Sequence, residues 1–193
     1  MREQAIYHFH AEDGLAVWLR PLKPTDAPYL IDLFEHMSAD SRYQRFNIPL
    51  PDPDPDWVLK QAEKLAYVRP AHGRAWLAFA DLPGEPQAPV AGIRYIRASL
   101  EAAEVALVVR DDLHNLGIGS ELLKFAGRKA YAEGFSRLLG LVQSTNQALW
   151  HSLHKLDVPL KRRQEGSHTV IEVDLHEAEL FHWKPAADRE GSV

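Results

Sequence analysis

The stretch from Glu104 to Gly134 leaves the chain few choices. Val105 to Val109 is an unbroken apolar run, VALVV, the right length for a buried strand. After a short polar turn comes a paired glycine, Gly117-Ile118-Gly119. From there apolar residues recur at Ile118, Leu122, Leu123, Ala126 and Ala130, one stripe at helical period. Gly134, directly after Glu133, stops that helix. The chain must turn sharply on leaving the strand, and Gly117 and Gly119 are expected to take positive φ without a Cβ penalty. Bare backbone also lets an anionic ligand approach the N–H groups at the helix N-terminus. Strand, glycine turn and amphipathic helix together are expected to cradle a phosphate.

Spacing decides which cradle. A P-loop needs Gly-Lys-Ser/Thr, and here the second glycine leads into Ser120-Glu121. A dinucleotide fingerprint, G-x-G-x-x-G, needs glycine where Leu122 stands. The pattern that fits is Gln/Arg-x-x-Gly-x-Gly/Ala, so this stretch resembles the coenzyme A loop of the GNAT family of N-acetyltransferases. His114 stands where that family usually has Gln or Arg, and Leu116 where it often has a basic residue.

The 193 residues are read as one domain, 1–193, with a core over about 15–175 and peripheral ends. A net charge of −5 argues against a general nucleic-acid binder. The chain has no cysteine, which excludes disulfides, a catalytic thiol and thiolate metal ligands. His8/His10 and His151/His154 have metal-compatible spacing but no clustered carboxylate, and they read as surface residues with no metal. No run approaches the roughly 20 apolar residues of a membrane span, and the first residues lack a signal-peptide core. A cytoplasmic setting with no membrane partner is the expectation, and a homodimer stays open.

Along the chain, a short strand is expected near Ile6 to Phe9 and a longer one at Leu15 to Leu19. Thr25 is expected to cap a helix reaching about Met37, and Ser38 to Ser41 to restart a short turn or helix. The proline-dense loop Pro49 to Asp56 precedes a helix to about Tyr67, capped by Asp56. A hairpin follows, Arg74 to Ala80 with Val90 to Ile96, and then the central strand and helix. A strand at Arg137 to Val142, a helix at Asn146 to Leu156 and a strand at Thr169 to Leu175 complete the core. Lys161-Arg162-Arg163 reads as a solvated strand or turn, and the five tryptophans, Trp183 included, as core anchors. This order predicts an α+β fold with one mixed, mostly antiparallel central sheet and helices on both faces.

The resemblance to the GNAT family extends over about 15–175. Leu19-Arg20-Pro21 through Asp26 is similar to the family's opening motif, and Leu141 to Asn146 to its fifth strand and following Asn. Ser38-Ala39-Asp40-Ser41-Arg42-Tyr43-Gln44-Arg45-Phe46 resembles the S-x-x-S-x-Y-x-R-F stretch of Pat-type protein lysine acetyltransferases. The resemblance implies acetyl-CoA as co-substrate and an amine as acceptor, either a protein lysine or a small molecule. It implies Glu104 as the base, although Glu104 also reads as a solvent-facing strand-end charge. Backbone of Leu107, Val108 and Val109 would meet the pantetheine arm, and the loop from His114, Asn115 and Leu116 through Gly117, Ile118, Gly119 and Ser120 the pyrophosphate. Asn146 would bond the pantetheine, or serve only as a helix cap, and His114 would touch phosphate or simply sit on the surface. The family's acid is a tyrosine, whose position here is Leu153. That departure keeps a second reading in view, a non-catalytic acyl-CoA sensor.

Overall fold

A computed structural model describes residues 4–182. Its strands are β1 (Tyr7–His10), β2 (Ala16–Pro21), β3 (Gly73–Leu82), β4 (Glu85–Arg97), β5 (Ala102–Val109), β6 (Arg137–Gln143), β7 (Leu160–Glu165) and β8 (His168–Asp174). Its helices are α1 (Ala27–Glu35), α2 (Ala39–Phe46), α3 (Pro55–Ala66), α4 (Ile118–Ala132) and α5 (Gln147–Leu156). The strands form one sheet in the order β1-β2-β3-β4-β5-β6-β8-β7. Every pairing is antiparallel except β5 with β6. The α+β fold expected from the sequence is the fold observed.

Strand alternation sorts the sheet into two apolar faces. Trp18, Leu77 and Phe79 point to one side and pack with Leu33 of α1. Leu19, Trp76 and Tyr95 point to the other, where Leu122, Phe125 and Ala126 of α4 meet them. The C-terminal end, expected to be peripheral beyond about residue 175, instead returns to this second core: Phe181 is buried, and its ring lies where a Cβ on Gly127 would have to go. Trp183 lies outside the described residues. β7 is an edge strand whose Lys161, Arg162 and Arg163 stand in solvent, the usual way an edge is kept from pairing further.

Two helix starts differ from the sequence expectation. Thr25 caps nothing: Pro24–Asp26 is a 3₁₀ turn, and α1 begins after it and ends at Glu35. The residue that matters there is Asp26, whose buried carboxylate takes both terminal nitrogens of Arg20, at 2.6 and 3.0 Å, and the Lys23 N–H at 2.7 Å. Arg20 also lies over the Phe79 ring, 4.8 Å from its centroid. The opening motif is therefore a buried, bidentate ion pair that seats α1 on β2. The second difference is at α3, whose cap is Asp54 and not Asp56: Pro55 supplies the first helical residue, and the Asp54 carboxylate accepts from the N–H groups of Asp56 and Trp57.

Asp26→Ala removes one partner of a desolvated pair and leaves the other charge buried, so it should cost about 3–5 kcal/mol. Denaturant unfolding is the measurement; a loss below about 1 kcal/mol would mean that Arg20 is satisfied without Asp26.

Candidate active site

The parallel pairing of β5 with β6 covers only Ala102↔Arg137, Ala103↔Leu138 and Glu104↔Leu139. Beyond Glu104 the two strands part. A cleft of about 320 Å³ opens between them, lined by Glu104 to Val109 on one wall and Leu138 to Val142 on the other. The backbone of β5 along this stretch has lost its neighbour on one side, while Val108 and Leu107 keep their pairs with Gly92 and Ile93 of β4 on the other. An extended chain of amides could pair with that open edge as an added strand.

At one end of the cleft stands the glycine loop. Gly117 has φ +78, the left-handed conformation expected of it, and Asn115 shares that region at φ +63. Gly119 does not: it is the second residue of α4, and its lack of a side chain serves packing instead. A Cβ there would lie 2.9 Å from the Ser152 hydroxyl and 3.4 Å from Leu107, so glycine lets α4 approach α5 and β5 closely. Ser120 fastens the same contact by donating to the Ser152 carbonyl at 3.1 Å. The first N–H groups of α4 have no carbonyl within the helix to bond and point toward the loop mouth. The loop's only sequence-implied member outside the cleft lining is Leu116, whose carbonyl accepts the N–H of Glu12 at 2.9 Å.

The histidine of the loop is occupied. His114 Nε2 lies 3.1 Å from the Val109 carbonyl, so the ring spans the turn between β5 and α4. A cation that sequence reasoning passed over stands nearby. Lys155, near the C-terminal end of α5, lines the cleft and is ion-paired to Glu12, whose carboxylate lies 2.8 Å from where a Cβ on Gly117 would be. The Glu12 carboxylate thus sits where an anion would meet the loop. Glu12 and Lys155 are far apart in sequence, and no local pattern joins them.

At the other end stands Glu104, exposed and lining the cleft, and among the described residues its carboxylate has no hydrogen-bonded or ion-paired partner. Arg45 of α2 reaches the same lining. Burial first, and then the charge of Arg94 on β4, hold the Arg45 guanidinium down to about 10, while Glu104 acts in the opposite sense. Burial likewise lowers Arg94, and Glu104 opposes it. Both arginines remain charged at neutral pH.

The short helix α2 closes the cleft like a bar across a fork. Ser38 caps it, accepting from Ser41 N–H at 3.2 Å, and its own N–H donates to Asp111 at 3.0 Å, beside the β5–α4 turn. Burial pushes the Asp111 carboxyl up, but hydrogen bonding to Ser38 outweighs it and leaves the group below the usual carboxylate range. At the far end, Gln143 of β6 donates to the Tyr43 carbonyl at 3.2 Å and to Asn47 Oδ1 at 2.9 Å. Arg42 lies over Phe34, 4.2 Å from the ring centroid, and Phe46 packs on the same ring. Asn146 caps α5, accepting from Leu149 N–H at 3.0 Å, and also lines the cleft. Leu153, where the resemblance would put a tyrosine, is buried in the same lining, and the Ser152 hydroxyl donates to the Ala148 carbonyl.

Residues 31–157 match the acetyltransferase (GNAT) family, and the chain belongs to that family. In general the family transfers an acyl group from acetyl-CoA to an amine. The fold is similar to the GNAT domain of S. lividans PAT, with a TM-score of 0.74 and 24% identity over 87% of this chain and 96% of that one. It is also similar to a cAMP-binding acyltransferase from Mycobacterium smegmatis, at a TM-score of 0.59 and 23% identity over 93% of this chain. Only 50% of that protein is spanned. An acetyltransferase from Thermus thermophilus matches at a TM-score of 0.59 and 24% identity, over 81% of this chain and 94% of that one. At these identities the likeness is one of fold. No curated protein matches the chain in sequence.

Proposed function

We propose that this protein is an acetyl-CoA-dependent N-acetyltransferase acting on a primary amine, with a protein lysine as the favoured acceptor. The observation that carries the reading is the parting of β5 from β6 at Glu104, with a glycine-opened helix at one end of the cleft and an unpaired carboxylate at the other. The cleft suits the donor by three features of its own: an open strand edge for the pantetheine amides, a bare helix N-terminus for the pyrophosphate, and Lys155 as a cation beside it. Lys155 would replace the basic residue that the loop itself lacks, exchanging the Glu12 carboxylate for phosphate. His114 holds the Val109 carbonyl and so shapes the strand end, and Asn146 orients α5 at the cleft rim.

In this reading the chemistry is mostly placement. An alkylammonium with a pKa near 10.4 is almost wholly protonated at neutral pH, so a base must take a proton before attack. Glu104 is that base, acting directly or through water. The neutral amine then attacks the acyl carbon; the C–N bond forms, the C–S bond breaks, and the sulfur leaves with the electron pair, while the nitrogen, positively charged after attack, gives up a second proton that passes through water to the thiolate. Backbone N–H groups along Leu107 to Val109 would support the developing oxyanion. The similarity of Ser38 to Phe46 to Pat-type enzymes supports lysine over a small amine. Buried Leu153 at the usual acid position favours a second reading, an acyl-CoA sensor without turnover. Thiol release from acetyl-CoA in the presence of lysine peptides and amine mixtures separates the two.

Gly117→Val and Gly119→Val should each weaken coenzyme A binding by roughly tenfold or more, the first through its φ and the second by wedging α4 from α5. Unchanged affinity in folded variants would remove the loop from the site. Lys155→Gln should weaken binding by a similar factor of about ten and flatten its salt dependence, whereas Glu12→Gln should tighten it. Titrations at low and high salt check both, and equal slopes in wild type and Lys155→Gln would exclude Lys155. Glu104→Gln should leave coenzyme A affinity intact and lower turnover by roughly 10²–10⁴, with partial rescue as pH rises and more acceptor arrives neutral. Turnover within about twofold of wild type from about pH 6.5 to 9.5 would leave water as the base.

A further inference from the structure

The proposed base does not stand alone. Arg94 faces Ala106 across the β4–β5 ladder, and Ile96 faces Glu104, so Arg94 is the diagonal neighbour of Glu104 on the same face of the sheet. Arg45 reaches that face from α2. Arg45 and Arg94 are both half-buried; the Arg45 guanidinium lies over the Phe46 ring, 5.3 Å from its centroid, and among the described residues neither arginine has a hydrogen-bonded or ion-paired partner. Two cations and one anion leave a surplus positive charge at a place the protein partly shields from water. Desolvating a guanidinium without giving it an acceptor is unfavourable, and the two cations also oppose each other.

A second cavity explains where an acceptor for those donors would go. It is small, about 50 Å³, and lies on the α1/α3 side of the sheet beside Ala106. Its walls are Leu22, Leu30, Leu65 and Leu77, and its polar edge is Arg45 and Arg94. Arg45 and Ala106 line this cavity and the donor cleft alike. The space suits a group of about three heavy atoms. A planar anion with two oxygens is what paired guanidinium groups bind best.

We propose that the acceptor carries a carboxylate near its reacting amine, held by Arg94 and Arg45 in this cavity while the ammonium faces Glu104. This rests on the acetyltransferase reading and narrows its substrate class. The acceptor is then a dipole laid across a matching dipole: its positive end meets the lone carboxylate and its negative end the two arginines. Polyamines and basic peptides, which bring only positive charge, are disfavoured by the same pair. The carboxylate can be the side chain of an acidic residue next to a protein lysine, or the α-carboxylate of a small amine. Both present the same chemistry.

Two matched pairs of acceptors test this. One is a lysine peptide with Glu or Gln beside the lysine; the other is Nα-acetyl-lysine against its carboxamide. Acetyl transfer by the wild type should favour the carboxylate member of at least one pair by roughly tenfold in kcat/KM, mainly through KM. The peptide pair reports a protein acceptor, the small pair a metabolite. In Arg94→Gln that preference should fall to within about threefold, whereas Arg94→Lys should keep part of it. The ratio within a pair cancels any general effect of Arg94 on Glu104. Equal rates within both pairs, or a preference that survives Arg94→Gln and Arg45→Gln together, overturn the proposal and leave the acetyltransferase reading intact. No thiol release with any amine overturns that reading, and this proposal with it.

Discussion

A strand that loses its neighbour halfway along is the constraint on which this molecule depends. β5 is paired with β4 along nearly its whole length but with β6 over three residues only. Backbone groups left open in a sheet interior are costly unless water or a ligand satisfies them. The opening therefore has to be held by something, and the core does that from both sides. Val105, Leu107 and Val109 pack toward α4 and Val108 toward α1, so β5 cannot swing to close the gap. Gln143 is bound to Tyr43 and Asn47, which ties the free end of β6 to α2.

Once the gap is fixed, α2 acquires its meaning. Its motif is known from sequence only as a family resemblance, and in the structure several of its positions have separate tasks. Ser38 caps and meets Asp111, Arg42 and Phe46 clamp Phe34, and Arg45 turns into the cleft. Anchored to the β5 side at one end and the β6 side at the other, the helix gives the cleft a roof of defined polarity. Gln44 adds a third fastening by donating to Thr145 at 2.9 Å.

What the sequence reveals is whatever depends on period and on local backbone chemistry. The β5–α4 unit is legible because an apolar run, a glycine needing positive φ and a helical stripe fall in one short stretch. Asn146 is legible as a cap, and Ser38 as the start of a new turn or helix, because a cap bonds only about three residues away. Thr25 misleads because capping preference is weaker than a buried ion pair: Asp26 is drawn to Arg20, and the helix start moves with it. Asp56 misleads because Pro55, inside the proline-rich loop, is itself the better first helical residue. Gly119 lacks the positive φ expected of it because its cause is the Ser152 hydroxyl on another helix, which no local pattern contains. Lys155 beside Glu12, and Arg94 beside Glu104, are products of topology alone.

Leu153 raises the question of how transfer could proceed without a side-chain acid. The two protons of the proposed reaction are not equally hard to manage. Taking one from an ammonium of pKa near 10.4 at neutral pH costs about 3.4 pKa units, or about 5 kcal/mol. Releasing an alkyl thiolate, with a conjugate acid like that of cysteine near 8.5, costs about 1.5 units, or about 2 kcal/mol. A base near the amine therefore matters more than an acid near the sulfur. The arrangement of charge follows the same ranking: Glu104 is kept exposed and unpaired, while the place where a tyrosine would stand is filled with an apolar side chain that packs α5 against the cleft. Water at the cleft mouth can supply the second proton, because the thiolate is only weakly basic. In the proposed reaction Glu104 therefore answers the harder of the two proton transfers, and the easier one is left to water.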